Sequence, residues 1–268
     1  MKNKIIFLLN IAVIIFCSVI LYLHFTGQYI MTSRTLTKAG VLLATYLFGV
    51  INYCSKSKSS GQATYESAYQ NIIKNAFAND KTSYKQLMKS ISFYCNNQPE
   101  QALKILEQLQ PRCSGYQDTS AVLFFMALCY DEKQDPDKAI ECYESLLQTD
   151  MAHSDAWSNL GLLYMNAKRT DKAKHALNQA ILYNPGNALA YCNMAYLYYH
   201  NCEFEEAINY GLKSFQINNK ISETISLLAL SYASVGDSEN ARKYCQFYGT
   251  LQDNKPLVSM VEQQLQNK

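Results

Sequence analysis

Glycine and proline are scarce in this 268-residue chain, at 10 and 5 residues. Loop-rich all-β domains turn on both, so their shortage favours helices. Tryptophan occurs once and histidine four times, and there is no HExxH, GxSxG, P-loop or Rossmann glycine pattern. His24 lies in an apolar run, while His153, His175 and His200 fall at turns or helix surfaces, where solvent exposure is expected. The net charge is only +2. No basic stripe interrupts it, which excludes an ordinary nucleic-acid interface. The 9 cysteines are odd in number and dispersed. Without CxxC pairs or Cys/His ligand spacing they suggest neither a zinc site nor a disulfide framework, but reduced thiols in a reducing compartment. Nothing here supports an enzyme, a cofactor, a metal or a small-molecule substrate.

What the chain does have is apolar surface, with 49% hydrophobic and 17% charged residues. That balance is enough for a packed core. The 21 Tyr and 11 Phe suit gaps between packed helices. Residues 5–25, IIFLLNIAVIIFCSVILYLHF, contain no Asp, Glu, Lys or Arg. As a helix they would reach about 31 Å, the thickness of a bilayer core. The run is longer than a signal-peptide core and no A-x-A cleavage site follows. Residues 39–54, AGVLLATYLFGVINYC, would reach about 24 Å, a marginal span. A transmembrane helical hairpin is the economical reading, with a buried soluble helix the alternative for the second run. Lys2, Lys4, Lys56 and Lys58 flank the pair, and Arg34 and Lys38 lie between the runs. This distribution leans toward both ends being cytoplasmic at the cell membrane.

The rest of the chain repeats. The segment starting at Ser154 places Trp157, Leu160, Gly161, Tyr164, Ala173, Leu177, Ala180 and Pro185 in one unit. Steps of 34 residues keep the register. Tyr130/Ala139, Tyr164/Ala173, Tyr198/Ala207 and Tyr232/Ala241 preserve one spacing in four successive units. This pattern resembles the tetratricopeptide repeat (TPR) family, in particular membrane-anchored bacterial members, with Leu177 where the family pattern has Phe.

The resemblance implies an all-α fold, a right-handed α-solenoid of antiparallel helix pairs behind the transmembrane hairpin. Small residues (Ala127, Gly161, Ala195, Ala229 and the four repeat alanines) mark close helix crossings. The expected domains are a membrane anchor over 1–55, a linker and capping helix over 56–82, the array over 83–253 and a carboxy-terminal capping helix over 254–268. The array divides into a degenerate unit at 83–117, then 120–153, 154–187, 188–221 and 222–253. A further amino-terminal helix is expected over 65–78.

In this family, partners usually occupy the concave groove lined by the first helix of each unit. The corresponding positions here are Phe124, Phe125, Leu128, Asn159, Leu162, Met165, Asn193, Tyr196, Tyr199, Leu227 and Leu230. Asn159 and Asn193 suit the Asn part of a carboxylate clamp, but Glu223 and Leu227 stand where basic residues would be needed. The implied function is a membrane-tethered scaffold that binds a peptide or protein segment, with the lipid bilayer contacted by the anchor. The alternative is an assembly factor or chaperone for a membrane complex, contacting it through the hairpin, where Asn10 and Asn52 are polar marks.

Overall fold

The computed structural model describes residues 69–73, 75–251 and 253–266. The apolar runs at 5–25 and 39–54, the polar linker after them and part of the expected helix at 65–78 lie outside the described residues. Among the described residues, no helix is long and apolar enough to cross a membrane. The chain divides into two compact units, Met1–Ile73 and Lys74–Lys268. Of the first, the description covers a single helical turn at Gln70–Ile73, closed by the Tyr69 carbonyl, which accepts from the amides of Ile72 and Ile73.

The second unit is built from helices, with no strand among its described residues. They are α1 (Lys81–Cys95), α2 (Pro99–Leu109), α3 (Tyr116–Glu132), α4 (Pro136–Thr149), α5 (Ser154–Asn166), α6 (Thr170–Tyr183), α7 (Ala188–His200), α8 (Phe204–Ile217), α9 (Ser222–Val235), α10 (Ser238–Gly249) and α11 (Lys255–Gln266). A 3₁₀ turn, Gln110–Arg112, follows α2. The helices pack as successive pairs, α1/α2 through α9/α10, and α11 packs on the last pair. This is a TPR-like helical solenoid.

The repeat chemistry appears directly in the packing. Ala127, Gly161, Ala195 and Ala229 are buried, and so are Ala139, Ala173, Ala207 and Ala241. At Gly161 a Cβ would stand 2.7 Å from Leu177 Cγ and 2.8 Å from Leu177 Cδ2. Leu177 is fully buried, so it cannot retreat, and the crossing of α5 and α6 requires glycine.

Each pair turns in the same way. Gln134, Lys168, Cys202 and Gly236 have positive φ, from 58° to 86°, and stand 34 residues apart. The amide one residue after each of these donates back to the carbonyl of the repeat tyrosine. Asp135 donates to Tyr130 at 2.9 Å, Arg169 to Tyr164 at 2.8 Å, Glu203 to Tyr198 at 2.9 Å and Asp237 to Tyr232 at 2.9 Å. That bond is the Schellman closure, which satisfies carbonyls left without helical partners. The following helices then start on caps such as Asp135, beside Pro136, and Asp237, which accepts from the Asn240 amide at 3.0 Å.

Buried polar groups join helices within pairs and between them. Ser154 Oγ donates to the Ala180 carbonyl at 2.9 Å, and Asn187 Nδ2 donates to Ser154 Oγ at 2.8 Å. Ser214 Oγ donates to the Ala188 carbonyl at 2.8 Å. Toward the amino-terminal end, the buried Asp118 carboxylate accepts from the Phe77 amide at 2.6 Å and from the Ser114 amide and hydroxyl at 3.1 and 3.0 Å. These bonds satisfy groups that would otherwise be desolvated at a cost.

Candidate interaction groove

The first helices α3, α5, α7 and α9 form one face of the array. A single register position places Leu128, Leu162, Tyr196 and Leu230 on them in succession. All four keep surface open, with Tyr196 at 41% exposure. A one-per-unit apolar stripe follows from the 34-residue period alone. Between α5 and α7, Met165, Tyr196, Leu197 and His200 line a cleft of about 380 Å³ with the turn residue Lys168 and with Thr170 at the start of α6. The Tyr196 ring meets the His200 ring edge-on, at 4.3 Å between centroids.

The carboxy-terminal end of this face is bordered by α11. Leu257 and Val261 bury themselves with Ile225 and Leu228 of α9. Gln264 Nε2 then donates to Tyr199 Oη at 3.2 Å and to Ser234 Oγ at 2.8 Å. Tyr199, Leu230 and Met260 line what remains there, a pocket of about 200 Å³.

The structure corrects three of the expected groove residues. Phe124 and Phe125 are 0% and 1% exposed. Phe124 packs edge-on against Phe125 and Tyr143 and stacks on His153, so neither ring is presented to a partner. Leu227 is buried, at 5%, on the helix against which α11 packs. The two groove asparagines are half-buried and bond within the array. Asn159 Nδ2 donates to Tyr143 Oη at 2.9 Å, and Asn193 Nδ2 to Ser158 Oγ at 3.2 Å. They staple neighbouring helices, so an arriving peptide meets these amides already engaged. Leu128, Leu162, Met165, Tyr196, Tyr199 and Leu230 are the residues that the structure leaves at this surface.

His153 is a further correction. Instead of an exposed turn residue it is the half-buried N-cap of α5, where Nδ1 accepts from the Ala156 amide at 3.2 Å. Burial lowers its pKa against the opposing pull of Asp150 and Asp155. The cysteines vary in burial: Cys129, Cys192 and Cys245 are buried, while Cys202 is exposed. Burial pushes the Cys129 thiol up to about 12 and the Cys142 thiol up to about 11. Neither supplies a thiolate near neutrality.

A second concavity lies away from the first-helix stripe. Glu144, Leu147 and Gln148 of α4, Trp157, Leu160 and Tyr164 of α5, and Lys172, His175 and Ala176 of α6 enclose a cleft of about 600 Å³, with Met151 and Asp171 at its margin. Trp157 Nε1 donates to the Met151 carbonyl at 2.8 Å, and Tyr164 Oη donates to the Glu144 carboxylate. Burial, with Glu144 beside it, pushes the Tyr164 phenol up to about 12, so it stays a donor. Sequence reading assigns Trp157 and Tyr164 only to the repeat pattern. At position 176 the chain has alanine where positions 210 and 244, in register with it, have tyrosine.

Two models of the tetratricopeptide repeat match the chain, at residues 132–185 and 159–214. Across 108 residues, 38% of its length, the chain is 31% identical to the peroxisomal targeting signal receptor of Saccharomyces cerevisiae. It spans only 18% of that protein. Among solved structures, PilF of Pseudomonas aeruginosa matches with a TM-score of 0.58 at 17% identity, over 70% of this chain and 89% of that one. MamA 41-end from Desulfovibrio magneticus RS-1 matches with a TM-score of 0.53 at 18% identity, over 64% and 95%. At these identities the structural matches show the fold alone. The chain carries tetratricopeptide repeats.

Proposed function

We propose, from the premise that this chain carries tetratricopeptide repeats, that it is a membrane-tethered scaffold holding a segment of another protein on its first-helix face. Repeats of this kind indicate protein or peptide partners, and the partly matched yeast protein is by name a receptor for a targeting signal. The observation that carries the reading is the stripe of Leu128, Leu162, Tyr196 and Leu230, with Met165 and Tyr199 beside it. Its chemistry is apolar and aromatic, without the cations of a carboxylate clamp. It suits an amphipathic segment whose side chains cover the stripe. The side-chain amides of Asn159 and Asn193 fix the helices that carry the stripe, which keeps the surface pre-formed.

In the same reading, residues 1–55 form the tether, a hairpin with helices over 5–25 and 39–54 at the cell membrane, and the array is cytoplasmic. What supports this is the uncharged apolar length of the first run and the lysines at both ends of the pair.

The groove is tested by selecting peptides from a displayed library on the full chain. Leu162→Ala with Tyr196→Ala should weaken the selected peptides by about tenfold or more. Undiminished binding would remove the groove. The tether is tested separately by alkaline extraction of membranes, where the chain should stay with the lipid; release into the supernatant contradicts it.

A further inference from the structure

In the unit of α7 and α8, Tyr210 fills the space beside two rings. It stacks on Tyr198 at 5.3 Å and 17° and lies 6.3 Å from Tyr191. In the next unit, Tyr244 stacks on Tyr232 in the same way, at 5.6 Å and 8°. One unit earlier, the residues in register with Tyr191, Tyr198 and Tyr210 are Trp157, Tyr164 and Ala176. The two walls are therefore kept and the filling ring is absent. The 600 Å³ cleft opens beside that position.

We propose that this cleft receives an aromatic side chain from a partner protein, at a site separate from the first-helix stripe and independent of that reading. The occupant is specified by the array itself, because in the next two units a tyrosine occupies the matching place. The walls select a ring. Tyr164, 6% exposed, forms a buried inner wall beneath the Lys172 side chain. Trp157 is fixed by its bond to the Met151 carbonyl and meets the His175 ring edge-on at 6.0 Å, and Leu147 and Leu160 supply apolar floor. Offset or edge-on contacts with such walls favour an aromatic over an aliphatic side chain of similar area. Lys172 Nζ stands 5.4 Å from the Tyr164 centroid. Its long exposed side chain can move aside and leave the ring to the incoming one. The margin carries two exposed carboxylates, Glu144 and Asp171, against this one ammonium and the His175 imidazole. The partner's ring is accordingly flanked by Lys or Arg.

Trp157 is the chain's one tryptophan, so its fluorescence reports on this cleft. The probes are acetyl-Arg-Tyr-Arg-amide and acetyl-Arg-Leu-Arg-amide, titrated into the full chain in mild detergent. The tyrosine peptide should give a saturable Trp157 change, several-fold stronger in affinity than the leucine peptide. Ala176→Tyr, which restores the ring of the later units, should abolish the response while circular dichroism and melting temperature confirm a folded array. Should that variant fail to fold, Glu144→Gln serves instead, with an expected loss of about threefold for the basic peptide. Equal binding of the leucine peptide, a response that survives Ala176→Tyr, or no saturation by about 10 mM peptide would each overturn the proposal. An unchanged affinity in Glu144→Gln would overturn its basic flank.

Discussion

The imidazole of His153 lies on the ring of Phe124, with centroids 5.0 Å apart and planes 20° from parallel. The same imidazole caps α5 by accepting from the Ala156 amide. The cap needs a neutral ring, since an Nδ1 that carries a proton cannot accept, and burial against Phe124 disfavours the charged form.

A pH dependence follows. Burial lowers the folded pKa of His153 beneath its ordinary 6.5, although Asp150 and Asp155 pull the other way. As pH falls through 6.5 toward the lower folded value, the unfolded chain binds the proton first, so stability declines over that window. Denaturant titrations at pH 7.5 and 5.5 should show that loss. His153→Asn keeps a capping oxygen and should flatten the difference, at the cost of the stacking contact. An identical slope in both proteins would contradict this role.

Asp118 should act at lower pH and more locally. Burial alone would raise its pKa, but hydrogen bonds from Phe77 and Ser114 outweigh that and hold it below the usual 3.8. Its contribution is present above 3.8 and is lost as pH falls through the depressed folded value. Asp118→Ala leaves the Phe77 amide without its partner and should cost about 1–3 kcal/mol. Hydrogen exchange should quicken at residues 75–80 well before it changes in α7 or α9.

The repeated turn allows a prediction with opposite signs. Gln134, Lys168 and Cys202 adopt a left-handed conformation that Gly236 adopts without strain. Lys168 is exposed, so Lys168→Gly should stabilise the array by up to about 1 kcal/mol, the relief of strain exceeding the added unfolded-state entropy. Gly236→Ala should destabilise it by about 1 kcal/mol or more. Chemical denaturation of the two variants beside the parent decides it.

The repeat was legible because its signal is steric and local. Gly161 against Leu177, and the alanines 34 residues apart, can be read from spacing alone, since a close crossing admits nothing larger. The accessible face was only partly legible. Period predicts which residues share a helix side, but exposure depends on what covers that side. Phe124 has the right period and is buried, because Tyr143 and His153 pack on its ring; Phe125 is buried as well, edge-on to Phe124. Tyr199 is approached by Gln264 from 65 residues away, a contact that no window of sequence contains. The cleft beside Trp157 is legible at Ala176, the position in register with Tyr210 and Tyr244 that carries no ring.

The central claim, that the first-helix stripe holds a partner protein, is tested most directly by site-specific photocrosslinking of the full chain in its native membranes. p-Benzoylphenylalanine in place of Leu162, Tyr196 or Leu230 should give the same discrete protein adduct. The same group in place of Lys133, in the turn between α3 and α4, should give none. Adducts absent from all three stripe positions, or equally strong at position 133, would contradict the account.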